Sequence, residues 1–584
     1  MSDNSTKRSK PPRGSSAAPD HIMLSIRGDA KTGMAVTWRT DETAAPGYLL
    51  LRPEWGGERE TVRFDAVTRR FESDIDVSLI HTAAAEGLTP GARYFYTVGD
   101  DACRSAEFSF ETEPESLTHY RFIVIADQQN STPFATPEYA PVRRMLGKAF
   151  ERCPDARFIL TLGDNVSNGQ NELQWNGLFH GLRGFCERVP LMMATGNHDN
   201  RGYRVYDSEE TQSGKFYLEH ADFFDAQFEE AYPKNGPEGY TTENYSFDYG
   251  DAHFTILGIN EFAKIADWAV QDMAASDKTW KLGVFHFPVF PIMPEGVSGQ
   301  CLEGLSERLD AAKPDVMFAG HEHSFARSYP IRGYQMFDRP SQGTVHYILG
   351  NSGENIFTSN ADKVWYYNFY PQEEYNCMYA VVDVTPERLT VSAYLDDGRA
   401  VDEFSIDKSR DEIYPPLVAP VYHRTRMAYK GALVELCARD ISARRVDGTF
   451  FVPFAVCAQA VGAEVVKEPG RVTIDLYGVR AVFTEGSDSA LKNGAEEKLS
   501  HPVFRGDKGE LYVAADDLAA VFGLRWVYAE RNNFIDFDYP EEDYPRSVQP
   551  AGDGGTAEAP ARHAAFGGIR APGVNPAPAS ADEA

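Results

Sequence analysis

Arg121-Phe-Ile-Val-Ile-Ala126 runs into Asp127-Gln128-Gln129, and Arg157-Phe-Ile-Leu-Thr-Leu162 runs into Gly163-Asp164-Asn165. Pro190-Leu-Met-Met-Ala194 leads, past Thr195, into Gly196-Asn197-His198-Asp199. Each is an unbroken apolar run followed by a polar, turn-forming cluster. The pattern continues downstream. Ala252-His-Phe-Thr-Ile-Leu257 is a further run, Lys281-Leu-Gly-Val-Phe285 precedes His286, and Asp315-Val-Met-Phe-Ala319 precedes Gly320-His321-Glu322-His323. Runs this short and apolar suit strands buried on both faces. Helix-like stretches such as Pro141 to Cys153 lie between several of them, so residues 115–408 read as an α/β domain. In such sheets the carboxyl ends of the strands converge on one edge, where ligands bind. Five turns are therefore expected to gather Asp127, Asp164, Asn197, His286, His321 and His323 around one small volume.

Singly, these clusters are ambiguous. An Asp after a buried strand is commonly a helix N-cap. Gly163-Asp164 is also a turn sequence, and His286 alone reads as a core or turn histidine. His321 and His323 alternate along an extended segment, which does not by itself point both at one site. Together, however, they form a series of metal-ligand types, three of them with Gly beside the ligand, where a backbone can approach closely. The joint reading is a metal site.

The order Asp-x-Gln, Gly-Asp, Gly-Asn-His-Asp, His, Gly-His-x-His resembles the calcineurin-like metallophosphoesterases. Asn244-Tyr-Ser-Phe-Asp-Tyr-Gly-Asp-Ala-His-Phe254 and Gly320-His-Glu-His-Ser-Phe-Ala-Arg-Ser328 are most similar to the purple acid phosphatase branch. The resemblance implies a four-layer α/β sandwich with two divalent or trivalent transition-metal ions at one edge. Asp164 would bridge them, Asp127 and His323 would complete the first site, and Asn197, His286 and His321 the second. The mixed N/O ligands favour Mn, Fe, Zn or Co over Mg or Ca. The implied chemistry is hydrolysis of small phosphomonoesters or phosphodiesters by a metal-activated hydroxide. His198 would act as general acid, and Asp199 would either orient it or serve the turn. Asn197 and His198 would also meet substrate. Arg327 would either reach the phosphate or serve as a packing arginine.

The sequence departs from the family in two places. Gln129 stands where many members carry a His ligand, and is expected either to coordinate weakly through its carbonyl oxygen or to leave a place for water. Ser167 stands where purple acid phosphatases carry a metal-binding Tyr, so no tyrosinate-to-iron colour is expected. Ser167-Asn168-Gly169 also replaces the Asp-Arg-Gly of protein Ser/Thr phosphatases, which argues against phosphoprotein substrates. The aromatic-rich stretch from Asp199 to Asn244, with Tyr203, Tyr206, Tyr217, Phe223 and Phe224, is expected to fill a satellite core, or else to line a binding wall.

Around this domain the composition changes. Residues 20–114, with Met34-Ala-Val-Thr-Trp38 and Ala92-Arg-Tyr-Phe-Tyr-Thr-Val98, read as a β-sandwich. It is similar to the fibronectin-III-like domain that precedes the catalytic domain in the purple acid phosphatase branch. Residues 425–540 contain a repeat: Gly448-Thr-Phe-Phe-Val452 matches Gly509-Glu-Leu-Tyr-Val513, and Ile474-Asp475 matches Ile535-Asp536. This α+β unit resembles the copper amine oxidase N-terminal-like module of bacterial surface proteins, without a visible copper-ligand cluster. Residues 409–424, with Tyr414-Pro-Pro, read as a linker. Residues 1–19 and 541–584 read as disordered tails.

The 584 residues include 57 Lys and Arg against 87 Asp and Glu, a net charge of −30. Such a chain is repelled by nucleic-acid backbones, so no nucleic-acid binding is expected. An anionic substrate then requires a local reversal of the field, which bound metal supplies. No apolar run is long enough for a transmembrane helix. The N-terminus shows no signal peptide, which places the protein in the cytoplasm, or at the cell surface if an upstream export signal precedes it. The rival to an enzyme is a non-catalytic binding protein with a degenerate metal site, attached through residues 425–540 to a partner or cell-wall polymer.

Overall fold

The computed structural model describes residues 14–129, 139–200, 220–292, 308–332, 335–337, 339–353, 366–370 and 376–412, single positions between them, and most of 425–537. Two four-stranded sheets form the N-terminal unit. One has the order β1 (Asp20–Ser25), β2 (Gly33–Asp41), β6 (Val77–Glu86), β5 (Val67–Glu72). The other has the order β4 (Val62–Asp65), β3 (Tyr48–Pro53), β7 (Arg93–Gly99), β8 (Phe108–Glu111). Trp38, Leu49, Tyr96 and Val98 fill the space between them. Ordered chain begins before β1: Ser15 donates to Asp76 Oδ2 from its backbone N (2.6 Å) and its Oγ (2.8 Å). Residues 14–19, expected to belong to the tail, are thus among the described residues. Residues 1–13, 413–424 and 541–584, which hold most of the expected tails and linker, lie outside the described residues.

The middle unit has two mixed sheets, as the expected four-layer sandwich requires. The six-stranded sheet has the order β11 (Leu191–Met193), β10 (Ile159–Thr161), β9 (Tyr120–Ile125), β20 (Met378–Val384), β21 (Arg388–Leu395), β22 (Ala400–Asp407). The eight-stranded sheet runs β12 (Tyr245–Tyr249), β13 (Ala252–Leu257), β14 (Trp280–Phe285), β15 (Val316–Ala319), β18 (Thr344–Ile348), β16 (Phe325–Arg332), β17 (Gln335–Met336), with β19 (Tyr366–Tyr370) also on β16. Strands β9, β10 and β11 are parallel, as are β13, β14, β15 and β18. The sheets meet through aromatic edges: Phe254 lies 5.4 Å from both Phe122 and Phe158. Such edge-to-face pairs add to the area they bury. The helix Ala140–Arg152 packs beside β20, and the helix Phe262–Ala275 packs on β13. The four-layer α/β sandwich follows from buried runs that need cover on both faces.

The first two units share a core. Met23, Ile26, Phe71 and Ile80 of the sandwich join the main hydrophobic cluster of the middle unit. Phe223 and Phe224 join it too rather than forming a satellite: Phe223 meets Phe71 edge-on at 5.1 Å, and Phe224 packs on Phe228. Tyr203, Tyr206 and Tyr217 lie outside the described residues. Polar ties reinforce the junction. Tyr96 donates to Glu187 O at 2.8 Å, Arg69 pairs with Glu230 at 2.6 Å, and buried Arg39 pairs with buried Glu172.

The C-terminal unit has its own core, built around Val452, Phe454, Ile474, Phe483, Val513 and Ile535. The two repeat strands, Thr449–Val452 and Leu511–Ala514, pair antiparallel, with Val452 opposite Val513. The helix Ala515–Phe522 ends at Gly523, whose φ of 69° is the left-handed stop that glycine favours. The matching Gly462 lies outside the described residues. Among the described residues, no helix is long and apolar enough to cross a membrane.

Candidate metal centre

The carboxyl ends of β9, β10 and β11 in one sheet and of β14 and β15 in the other point to a common edge. The site therefore joins two sheets, which a single sheet edge would not explain. Asp127, Asp164, His321 and His323 all have positive φ, at 48°, 50°, 73° and 49°. Such angles in non-glycine residues cost energy and cluster at functional sites. They also answer the question of alternation. Residues 321–323 form a turn rather than a regular strand, His321 and His323 face one volume, and Glu322 between them turns away and accepts from Ile292 N.

Glycine supplies the clearance. A Cβ at Gly163 would stand 2.6 Å from His286 Nδ1, one at Gly320 would stand 2.5 Å from Asp127 Oδ2, and one at Gly196 would overlap the Asp164 carboxylate. The ligand loops can close only where these side chains are absent.

One ligand atom each from Asp164, His286 and His321 lies within 4.8 Å of the others, as does one each from Asp127, Asp164 and His323. Asp164 belongs to both groups. Asn197 Oδ1 lies 3.0 Å from His286 Nε2 and 2.9 Å from His321 Nδ1. His323 Nε2 lies 3.4 Å from Asp127 Oδ1. His286 Nδ1 donates to Leu162 O at 2.9 Å, which leaves the Nε2 lone pair facing Asn197 and Asp164. Lone pairs of oxygen and nitrogen thus converge on a point that calls for positive charge.

Electrostatics agree. Burial works to raise the Asp164 carboxyl, but the imidazoles of His286 and His198 outweigh it and hold the group below the usual carboxylate range. Burial likewise pulls His286 down, yet the Asp164 carboxylate pushes it up to about 9, so without an ion a proton holds the Nε2 position that an ion would take. His321 is held well below its ordinary value, by burial first and then by His286. The donors fit two transition-metal ions that share Asp164.

Gln129 is fully buried at the first group. Its Nε2 lies 3.2 Å from Asp164 Oδ2 and 3.2 Å from His323 Nε2, while its Oε1 has no hydrogen-bond partner among the described residues. An amide turned by 180° has nearly the same shape, and that turn would aim Oε1 at the same two groups as a weak ligand.

Two expected roles need correction. Asp199 does not orient His198. It is fully buried and accepts from Gly196 N (2.9 Å), Asn165 N (3.2 Å), Asn165 Nδ2 (3.0 Å) and Val166 N (3.2 Å). It is therefore the clasp of the turn. Burial, and then the charge of Asp164, push it up to about 7. The His198 ring is held by a carbonyl instead, with Nδ1 donating to Ser167 O at 2.9 Å. Arg327 is not at the site either. It is buried, forms a two-pronged pair with Asp402 (2.7 and 2.9 Å), and lies over the rings of Tyr367 and Phe404. A guanidinium so paired is a packing element.

Sequence reading also missed an organiser. Asn165 Oδ1 accepts from Gln128 Nε2 and Thr161 Oγ1, both at 2.8 Å, and Asn165 Nδ2 donates to Ala194 O at 2.8 Å. One side chain thus ties together the ends of β9, β10 and β11. Its position beside Asp164 was the only sequence signal.

Comparison with known proteins agrees with this geometry. Residues 19–112 match the purple acid phosphatase N-terminal domain, residues 120–325 the calcineurin-like phosphoesterase family, and residues 434–536 the copper amine oxidase N-terminal domain. Purple acid phosphatase 15 of Arabidopsis thaliana is 23% identical over 328 residues, covering 49% of this chain and 56% of that protein. Purple acid phosphatase 23 of the same plant is 24% identical over 389 residues, covering 58% and 80%. Probable inactive purple acid phosphatase 1, also from Arabidopsis thaliana, is 23% identical over 451 residues, covering 68% and 70%. The fold is shared with the purple acid phosphatase PPD1 of yellow lupin, with a TM-score of 0.53 at 18% identity over 69% of this chain and 78% of that one. Over residues 120–325 the middle unit is similar to the calcineurin-like phosphoesterases. With the unit before it, it has the domain arrangement of the purple acid phosphatases.

Proposed function

We propose that this chain is a dinuclear metal-dependent phosphoesterase acting on small phosphate esters. One observation carries the reading: Asp164 is shared by two ligand groups, with the ring of His198 set beside them. Asp127, Asp164, His323 and Gln129 would hold one ion, and Asp164, Asn197, His286 and His321 the other. Bound there, two cations would activate water and neutralise phosphoryl charge. The protein's own part falls mainly to His198. Its backbone N donates to Asp164 Oδ1 at 2.7 Å, which fixes the residue to the shared carboxylate. Because Nδ1 carries the proton given to Ser167 O, Nε2 is the atom that can take a second proton and deliver it. Nε2 lies 3.8 Å from Asp164 Oδ2, and the side chain retains 14% of its exposure, so a leaving-group oxygen can reach it from solvent.

Gln129 favours a second reading, a binding protein with a weakened first site, because its amide donates to the groups an ion would occupy. We further propose that the C-terminal unit, with its separate core, attaches the enzyme to a protein or cell-wall partner. Metal content and ester hydrolysis, measured together on wild type and Asp164→Asn, test the main proposal. Hydrolysis that disappears with the ions supports the enzyme, and bound ions without hydrolysis of any ester support the second reading.

A further inference from the structure

A second group of metal-ligand side chains lies outside this centre, where the chain enters the helix Asp222–Phe228. His220 Nδ1 is 3.8 Å from Asp225 Oδ2 and 3.7 Å from Glu243 Oε1. One donor atom of each of the three lies within 4.8 Å of the others. These separations are too long for hydrogen bonds from the imidazole to either carboxylate. They are slightly longer than the roughly 3.3–3.6 Å between neighbouring ligands of a tetrahedral ion bound at about 2.0–2.2 Å, so a small inward movement would close them on an ion.

The group is built rather than incidental. Glu243 is 1% exposed, its Oε1 accepts from Ala221 N at 3.0 Å, and its Oε2 is 3.5 Å from Asn260 Nδ2. The His220 ring is stacked on Tyr240 with centroids 4.7 Å apart. Asp225 Oδ1 is sealed from solvent and has no hydrogen-bond partner among the described residues. Burial, and then the facing Glu243 carboxylate, push Asp225 up to about 8. Two carboxyl groups face each other across one imidazole, and a bound cation would let both ionise.

We propose that His220, Asp225 and Glu243 bind a third divalent transition-metal ion. One nitrogen and two carboxylate donors suit Zn, Mn, Co or Fe better than Mg. The ion would fasten the start of the helix Asp222–Phe228 to the segment that enters β12. That helix carries Phe223 and Phe224 into the core shared with the N-terminal sandwich, so the role is to hold the insertion that follows Asn197-His198, not to react with substrate. The proposal does not depend on the phosphoesterase reading.

The test is metal content per chain in the full-length protein, stripped by chelation and dialysed separately against Zn²⁺ and Mn²⁺. His220→Ala and Asp225→Ala should each bind one ion fewer than wild type. Asp164→Asn should keep one ion that the double variant Asp164→Asn/Asp225→Ala loses. Metal addition should also raise the Tm of wild type more than that of Asp225→Ala. Asp225 is partly exposed on a helix, where alanine folds well, so the Asp225→Ala result decides the matter if His220→Ala is unstable. Unchanged metal content in both single variants, or equal content in Asp164→Asn with and without Asp225→Ala, would overturn the proposal and leave an imidazole paired with carboxylates by charge alone.

Discussion

The imidazole of His198 is held by the backbone carbonyl of Ser167, 2.9 Å from Nδ1, and not by the neighbouring Asp199 carboxylate. This separates two functions that their adjacency in the chain would merge. His198 is placed for proton transfer, and Asp199 keeps the loop in shape.

His198→Ala is expected to keep its metal content and lose turnover. General acid catalysis contributes about 10²–10⁴-fold, and the loss should be largest for alkyl phosphates. Nitrophenolate leaves without needing a proton, so nitrophenyl esters should be less affected. Comparing kcat for the two ester types in wild type and His198→Ala checks this.

Asp199→Ala should act differently. It strands the buried N–H groups of Gly196, Asn165 and Val166. An unsatisfied buried donor costs about 1–3 kcal/mol, so chemical denaturation should show a loss of several kcal/mol, accompanied by weaker metal binding.

Gln129 should make the two ions unequal. Calorimetric titration of stripped protein is expected to show one tight and one weaker ion at this centre. Gln129→His should tighten the weaker step by about tenfold or more, as changes around metal ligands commonly do. Equal affinities in wild type would show that Gln129 is a full ligand.

Arg39 and Glu172 form a buried pair between the sandwich and the middle unit. Burial pushes Glu172 up to about 8 despite the adjacent guanidinium. Removing one partner of such a pair commonly costs about 3–5 kcal/mol, whereas replacing both with apolar residues is often near neutral. Arg39→Met should therefore be strongly destabilising, and Arg39→Met/Glu172→Met should recover much of the loss, as measured by thermal melting.

His253 gives the stability a pH dependence. Its Nδ1 lies 2.7 Å from Asp248 and its Nε2 lies 2.9 Å from Asp272. Burial works against the charged ring, but these carboxylates push it from 6.5 up to about 9. A raised folded value means the contribution is complete below about pH 6.5 and is lost as pH rises through about 9. The full effect is up to about 3 kcal/mol. His253→Gln should flatten the fall in stability across that window.

Much of this was legible in the sequence, for reasons that particular residues show. The strands β9, β10, β11, β13, β14 and β15 were visible because they are buried on both faces and carry unbroken apolar runs. The ligands were visible because each follows such a run. The division into two sheets came only from the family resemblance, because β16 to β22 alternate or contain polar residues that pair only in the fold. Arg327 misled because its partner Asp402 is 75 positions away. Asp199 misled because a carboxylate next to a histidine looks like an orienting group, whereas the backbone donors it serves carry no sequence signature. His321 and His323 stand two positions apart and would share a face even on a regular strand, but the turn that carries them, with positive φ at both, has no sequence signature.

The most direct measurement is hydrolysis of p-nitrophenyl phosphate and bis-p-nitrophenyl phosphate by wild type and Asp164→Asn, after chelation and after reloading with Mn²⁺, Fe²⁺, Zn²⁺ or Co²⁺. The account predicts turnover of at least one ester by the reloaded wild type, its loss on chelation, and little turnover by Asp164→Asn under any metal. Turnover that survives both chelation and the Asp164→Asn substitution, or none from wild type with any of the four metals, would contradict it.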